Sequence, residues 1–117
     1  MKIIIAGSRN INNYELIKET MDNILKTLNI PITIISGGAN GVDKLGERYA
    51  LEKHLGLTVY PADWDTYGKS AGYIRNEQMA NVGNMLVAFW DGKSKGTKHM
   101  IDLAEKYNLI IKIIKED

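Results

Sequence analysis

Five short, mostly apolar runs punctuate the chain: Ile3–Ala6, Ile32–Ile35, Leu57–Tyr60, Met85–Trp90 and Leu109–Ile114. They are continuous rather than alternating, which predicts strands covered on both faces. The stretches between them have a helical period. From Tyr14 to Leu28, Leu16, Ile17, Met21, Ile24, Leu25 and Leu28 form one stripe at three- and four-residue spacing. Further helices are expected at Gly41–Leu55, Ser70–Val82 and Gly96–Tyr107. Asn12 or Asn13 suits the N-cap of the first, Gly56 the stop of the second and Asn108 the C-terminal cap of the last. Pro61–Lys69 fits neither period and is expected as a long irregular loop, a kind of segment that usually carries function.

The element order is therefore β-α-β-α-β-α-β-α-β. Such alternation predicts an α/β fold, a Rossmann-like three-layer sandwich. Its five-stranded, mainly parallel sheet has helices on both faces, joined by right-handed crossovers. The 117 residues suffice for one domain, expected over 1–117. Hydrophobic content of 44% and charged content of 25% are those of an ordinary folded domain. With no cysteine, disulfides, thiolate catalysis and cysteine zinc sites are excluded. A net charge of +1 supplies no global field toward nucleic acid or an anionic membrane. No apolar run approaches the ~20 residues of a membrane span, and the opening Met1–Gly7 run is too short for a signal peptide. A cytoplasmic location is expected.

Chemistry in open parallel sheets gathers outside the carboxyl ends of the strands. Three glycine-bearing segments fall there: Gly7-Ser8-Arg9, Ser36-Gly37-Gly38-Ala39-Asn40-Gly41, and Asp91-Gly92 through Lys95-Gly96-Thr97. Glycine permits positive φ and close approach of backbone to ligand, and amides at the following helix start face an anion. An anion site is expected. Two similar patterns are excluded. Gly68-Lys69-Ser70 and Gly92-Lys93-Ser94 carry Asp63 and Val87 where a P-loop needs its first glycine. The dinucleotide fingerprint is also missing, because Ser8-Arg9-Asn10 follows Gly7.

Arg75, opening a helix after the long loop, suits a phosphate bidentately. Ser8 and Arg9 offer a hydroxyl and a cation to the same group. Asp43, in the first turn of a helix, fits either a capping role or a ribose contact. Lys95 and Thr97 flank Gly96 and are placed to close over a phosphate, while Asp91 is placed to accept from a ribose hydroxyl or orient a water. Trp64 and Tyr67 suit base stacking or loop anchoring equally. His54 and His99 read as helix residues, and the methionines as filler. No spacing suggests a metal. Weak catalytic candidates are Arg75, Asp91 and Asp43.

Taken together, the loops resemble the SLOG superfamily, which includes DprA and the LOG phosphoribohydrolases, and most of all its small YspA-type branch. Ala6-Gly7-Ser8-Arg9 is similar to the family's opening G-S-R. Ser36-Gly37-Gly38-Ala39-Asn40-Gly41-Val42-Asp43 is similar to the corresponding DprA stretch. Ala62-Asp63-Trp64, Ala71–Asn76, Met79, and Ala88–Gly92 through Gly96-Thr97 follow the YspA-type pattern. The resemblance implies a nucleotide-like, phosphate-bearing ligand. It adds Ala39, Asn40, Asp63, Asn76 and Gly92 to the expected contacts, and implies self-association as a dimer or higher. No cofactor is implied. LOG enzymes cleave a base from a nucleoside monophosphate. Arg75–Met79 follows their R-K-x-x-M with Asn76 for lysine, but Met100 stands where their catalytic glutamate belongs. Methionine cannot stabilise an oxocarbenium-like state. Asp43, Glu47, Asp63 and Asp91 are the carboxylates left to replace it. The expected function is a nucleotide-binding or sensing module. The alternatives are an N-glycosidase, or a DprA-like single-strand module with Lys69, Lys93, Lys95 and Lys98 as its basic rim.

Overall fold

The computed structural model describes residues 1–116. The strands are β1 (Lys2–Gly7), β2 (Thr33–Ser36), β3 (Gly56–Val59), β4 (Met85–Trp90) and β5 (Ile110–Lys115). The helices are α1 (Tyr14–Leu25), α2 (Val42–Glu52), α3 (Trp64–Tyr67), α4 (Ala71–Val82) and α5 (Lys95–Lys106). The sheet order is β3-β2-β1-β4-β5, and every pairing is parallel. Chain order reverses direction between β1 and β4. The crevice beyond their carboxyl ends is thus the topological switch point.

Alternation along β1 divides the core. Ile3 and Ile5 pack with Ile17 and Met21 of α1 and with Val42 and Tyr49 of α2. Ile4 and Ala6 face the other way, onto Met79 of α4 and Met100 and Ile101 of α5. Burying one such isoleucine stabilises the fold by about 1.5–3 kcal/mol relative to leaving it exposed. The doubly covered reading of apolar runs holds for the central strands β1 and β4. It fails for β3 and β5, which lie at the sheet edges and leave Val59, Ile110 and Ile113 partly exposed. No helix among the described residues is long and apolar enough to cross a membrane.

Several boundaries differ from expectation for local reasons. Asn13 is the N-cap of α1, its side chain accepting from the Leu16 amide at 3.2 Å. That helix ends at Leu25, and Thr27 and Leu28 follow in tighter turns bonded three residues back. The stop of α2 is His54, not Gly56. His54 takes φ of 56°, and the Leu55 amide reaches back to the Ala50 carbonyl at 2.9 Å, the Schellman pattern. Asn108 does the same after α5, with φ of 60°. The segment expected as irregular loop contains α3 and a 3-10 turn over Gly68–Ser70. Asp63 starts α3 by accepting from the Thr66 amide at 3.1 Å.

Candidate functional site

Three adjoining depressions, of about 90, 210 and 260 Å³, open at the switch point, and both Arg9 and Arg75 line all three. The smallest lies deepest, between Gly7 at the end of β1, Thr97 in the first turn of α5, and the sulfur side chains of Met79 and Met100. Gly37, Gly38 and Ala39 wall the largest, while Gly96 and Asn76 wall the other two. Arg75 therefore joins loops from both sides of the switch.

A continuous set of hydrogen bonds holds Arg75. Its Nη1 donates to the Gly37 carbonyl, and its Nε donates to Asn76 Oδ1 at 3.0 Å. Buried Asn76 in turn donates from Nδ2 to the Gly96 carbonyl at 3.3 Å and to His99 Nδ1 at 3.1 Å. Burial lowers the His99 pKa, which keeps the ring neutral and Nδ1 free to accept. Tyr73 packs edge-on against His99, with ring centroids 4.4 Å apart. Burial also lowers the pKa of Arg75, with Asp43 opposing that shift and Arg9 adding to it. Two guanidinium groups thus share a cleft and repel each other.

Asp43 is the neighbouring counter-charge. It is buried, and its Oδ2 accepts from the Ala39 amide at 3.1 Å. Desolvation raises its pKa to about 6, against the Ala39 hydrogen bond and the pull of Arg75. Glu47 raises it further and Arg9 lowers it. Both roles expected for Asp43 are thereby modified: it orders the loop after β2 from beneath and faces the deepest depression.

Amides of the glycine-rich loops are engaged within the protein at Gly38, Ala39, Lys93 and Ser94. The Gly38 amide donates to Ser36 Oγ at 3.1 Å, and the Ala39 amide is held by Asp43. Ser36 itself is fully buried and donates to Glu47 Oε2 at 2.7 Å, away from any ligand position. Asp91 accepts from the amides of Lys93 and Ser94, both at 2.8 Å, an Asx turn that lowers its pKa and uses its carboxylate to hold the loop after β4. The buried Ser8 hydroxyl accepts from the Asp91 amide at 3.1 Å instead of meeting the cleft beside Arg9. Asp63 is engaged as the α3 cap. Beside the loop after β2, the positive charge facing the cleft is that of the arginine side chains.

Other expected residues lie elsewhere. Lys95 and Gly92 line a separate shallow groove on the outer side of α5, together with Lys93 and Lys98. Asn40 is exposed in the turn before α2 and lines none of the three depressions. Gly41 serves that turn: φ is 80°, and a Cβ there would stand 2.5 Å from the Arg9 carbonyl. Trp64 borders both outer depressions, whereas Tyr67 borders none of the three. Sequence reasoning missed Ser94, which caps α5 by accepting from the Thr97 amide at 3.4 Å and lines the deepest depression. It also treated Met79 and Met100 as filler and His99 as an ordinary helix residue. The Ser-x-x-Thr spacing before an apolar helix was the available signal for Ser94. Among the described residues, no three His, Asp or Glu side chains gather as a metal site requires.

A doubly wound parallel sheet with an arginine-lined cleft at its switch point defines a Rossmann-like α/β domain. The model of the "YspA, cpYpsA-related SLOG family" matches residues 1–67. Gene 61 protein of Mycobacterium phage D29 is 32% identical over 111 residues, covering 90% of this chain and 89% of the phage protein. The chain belongs to the YspA, cpYpsA-related SLOG family. Among solved structures, DNA processing protein A (DprA) from Streptococcus pneumoniae superimposes with a TM-score of 0.77 over 99% of this chain, at 16% identity. The match spans 50% of the DprA chain, and the likeness is one of fold.

Proposed function

We propose that this protein binds the phosphate of a nucleotide or nucleotide derivative in the switch-point cleft, as a ligand-binding or sensing module. One observation carries the reading: Arg9 and Arg75 line the same three depressions and repel each other, with Asp43, its pKa raised to about 6, as the nearby counter-charge. An arriving dianion relieves that repulsion and receives charge-assisted hydrogen bonds. The position outside the carboxyl ends of β1 and β4 accords with phosphate sites in this architecture. Membership of the SLOG family and the DprA-like fold support the same class of ligand. A cytoplasmic, self-associating module is part of the proposal.

Binding without turnover is favoured over N-glycosidase activity by the carboxylates. Met100, buried at the deepest depression, occupies the place of the LOG glutamate. Of the four possible substitutes, Glu47 is bonded to Ser36, Asp63 caps α3 and Asp91 orders its own loop. Asp43 alone faces the cavity. Calorimetry with adenosine 5′-monophosphate and inorganic pyrophosphate tests the proposal. Saturable heat that disappears in Arg75→Ala supports it, and absence of heat with both ligands rejects it.

A further inference from the structure

We infer that the cleft takes a dinucleotide-like ligand, two ring-bearing halves joined by a pyrophosphate, rather than a mononucleotide. This deepens the phosphate-binding reading and rests on it. The two outer depressions, of about 210 and 260 Å³, meet at Arg9 and Arg75. The deepest, of about 90 Å³, has room for a phosphate oxygen or a water but not for a ring. Each outer lobe alone falls below the ~300 Å³ at which small-molecule sites begin. Together they exceed it, with the guanidinium pair at their junction.

Trp64 borders both lobes and is 53% exposed. The Asp63 cap fixes it at the head of α3, and its Cη2 reaches toward Gly72, where a Cβ would lie only 3.6 Å away. An indole held so, yet left half uncovered, offers a stacking surface to a planar ring. The lobes differ in character. Lys69, Gly72 and Tyr73 make one basic and aromatic. Gly38, Pro61 and Ala62 make the other neutral apart from the arginines.

Calorimetry on the wild-type chain tests this with inorganic pyrophosphate, adenosine 5′-monophosphate and diadenosine pyrophosphate. It is repeated with Ala62→Leu and Gly72→Leu, which fill one lobe each. Diadenosine pyrophosphate is expected to bind about tenfold or more tightly than the monophosphate, the gain of one further stacked base. Each variant is expected to remove most of that gain, with an unchanged circular dichroism spectrum and a cooperative thermal melt showing the variant to be folded. Equal affinity for mono- and dinucleotide with pyrophosphate binding intact overturns the two-lobe inference alone. Failure of all three ligands overturns the phosphate reading and this one with it. A 3′–5′-linked diadenylate binding as tightly as the pyrophosphate-bridged compound would assign the lobes to a nucleic-acid strand and overturn the commitment to a free dinucleotide.

Discussion

Arg75 donates from Nη1 to the carbonyl oxygen of Gly37, tying α4 to the loop that leaves β2. The contact requires glycine on the accepting side: a Cβ at Gly37 would stand 2.7 Å from that nitrogen and 2.9 Å from Asp43 Oδ2. Gly37→Ala is therefore expected to push Arg75 out of place. A steric insertion of this size costs about 1–3 kcal/mol, so a lower melting temperature should accompany weakened pyrophosphate binding. If calorimetry and thermal melts both match the wild type, Arg75 is not held as described.

Arg75→Ala removes a partly buried guanidinium and its charge-assisted bonds. A loss of about 1.5–3 kcal/mol in anion binding is expected, which is about ten- to a hundredfold in affinity. Arg75→Lys should not restore it, because an ammonium cannot hold Gly37, Asn76 and a phosphate with one planar fork. Exposed Arg9 should matter less. Arg9→Ala is expected to act mostly through charge, with an effect that shrinks as salt is raised.

Asp43 gives the protein a pH dependence of definite sign. Its folded-state pKa of about 6 lies above the ordinary 3.8. Between those values the folded protein holds a proton that the unfolded chain has released. Stability contributed by this group therefore falls as pH rises from about 4 to 6 and is level above, by roughly 3 kcal/mol in all. Asp43→Asn should flatten that slope, as followed by denaturation at a series of pH values. Sulfate, whose charge is constant over this range, should bind more tightly as pH falls through 6, because protonation removes a negative charge beside Arg75.

Asp91 and Gly96 separate loop order from ligand approach. Asp91→Ala frees the amides of Lys93 and Ser94 and should lower the melting temperature. Asp91→Asn, which keeps an acceptor, should lower it less. Because hydrogen bonds hold the Asp91 pKa down, its contribution is present above the ordinary carboxylate range and lost as pH falls. A Cβ at Gly96 meets nothing within 4 Å. Gly96→Ala should leave stability unchanged or raise it by about 0.5–1 kcal/mol. A fall in nucleotide affinity in that variant would locate the ligand against this backbone.

The sheet was legible in the chain because β1 and β4 are buried on both faces, and such strands are written as unbroken apolar runs. The edge strands carry similar runs, and their one-sided exposure depends on strand order, which periodicity does not encode. The stop of α2 was misread because His54 adopts a left-handed conformation that glycine would take more readily. In the site, Arg75 was legible from its place near the start of a helix after a long segment, although it lies in the second turn of α4 and not at its head. The uses of Ser8, Ser36 and Asp91 were not. A short polar side chain at a strand end serves a ligand or a neighbouring amide equally well, and only the turn geometry decides which. Met79 and Met100, matched to family motifs but otherwise read as filler, line the cavity because the same apolar side chains that fill a core also floor a cavity.

The central claim is that the arginine pair at the switch point holds a phosphate. A nuclear magnetic resonance titration with inorganic pyrophosphate reads this at individual residues. The largest shifts are expected at the Nε–H groups of Arg9 and Arg75 and at the Asn76 side-chain amide, all of them lost in Arg75→Ala. Shifts confined to Lys93, Lys95 and Lys98 on the outer groove, or none at saturating ligand, would contradict the account.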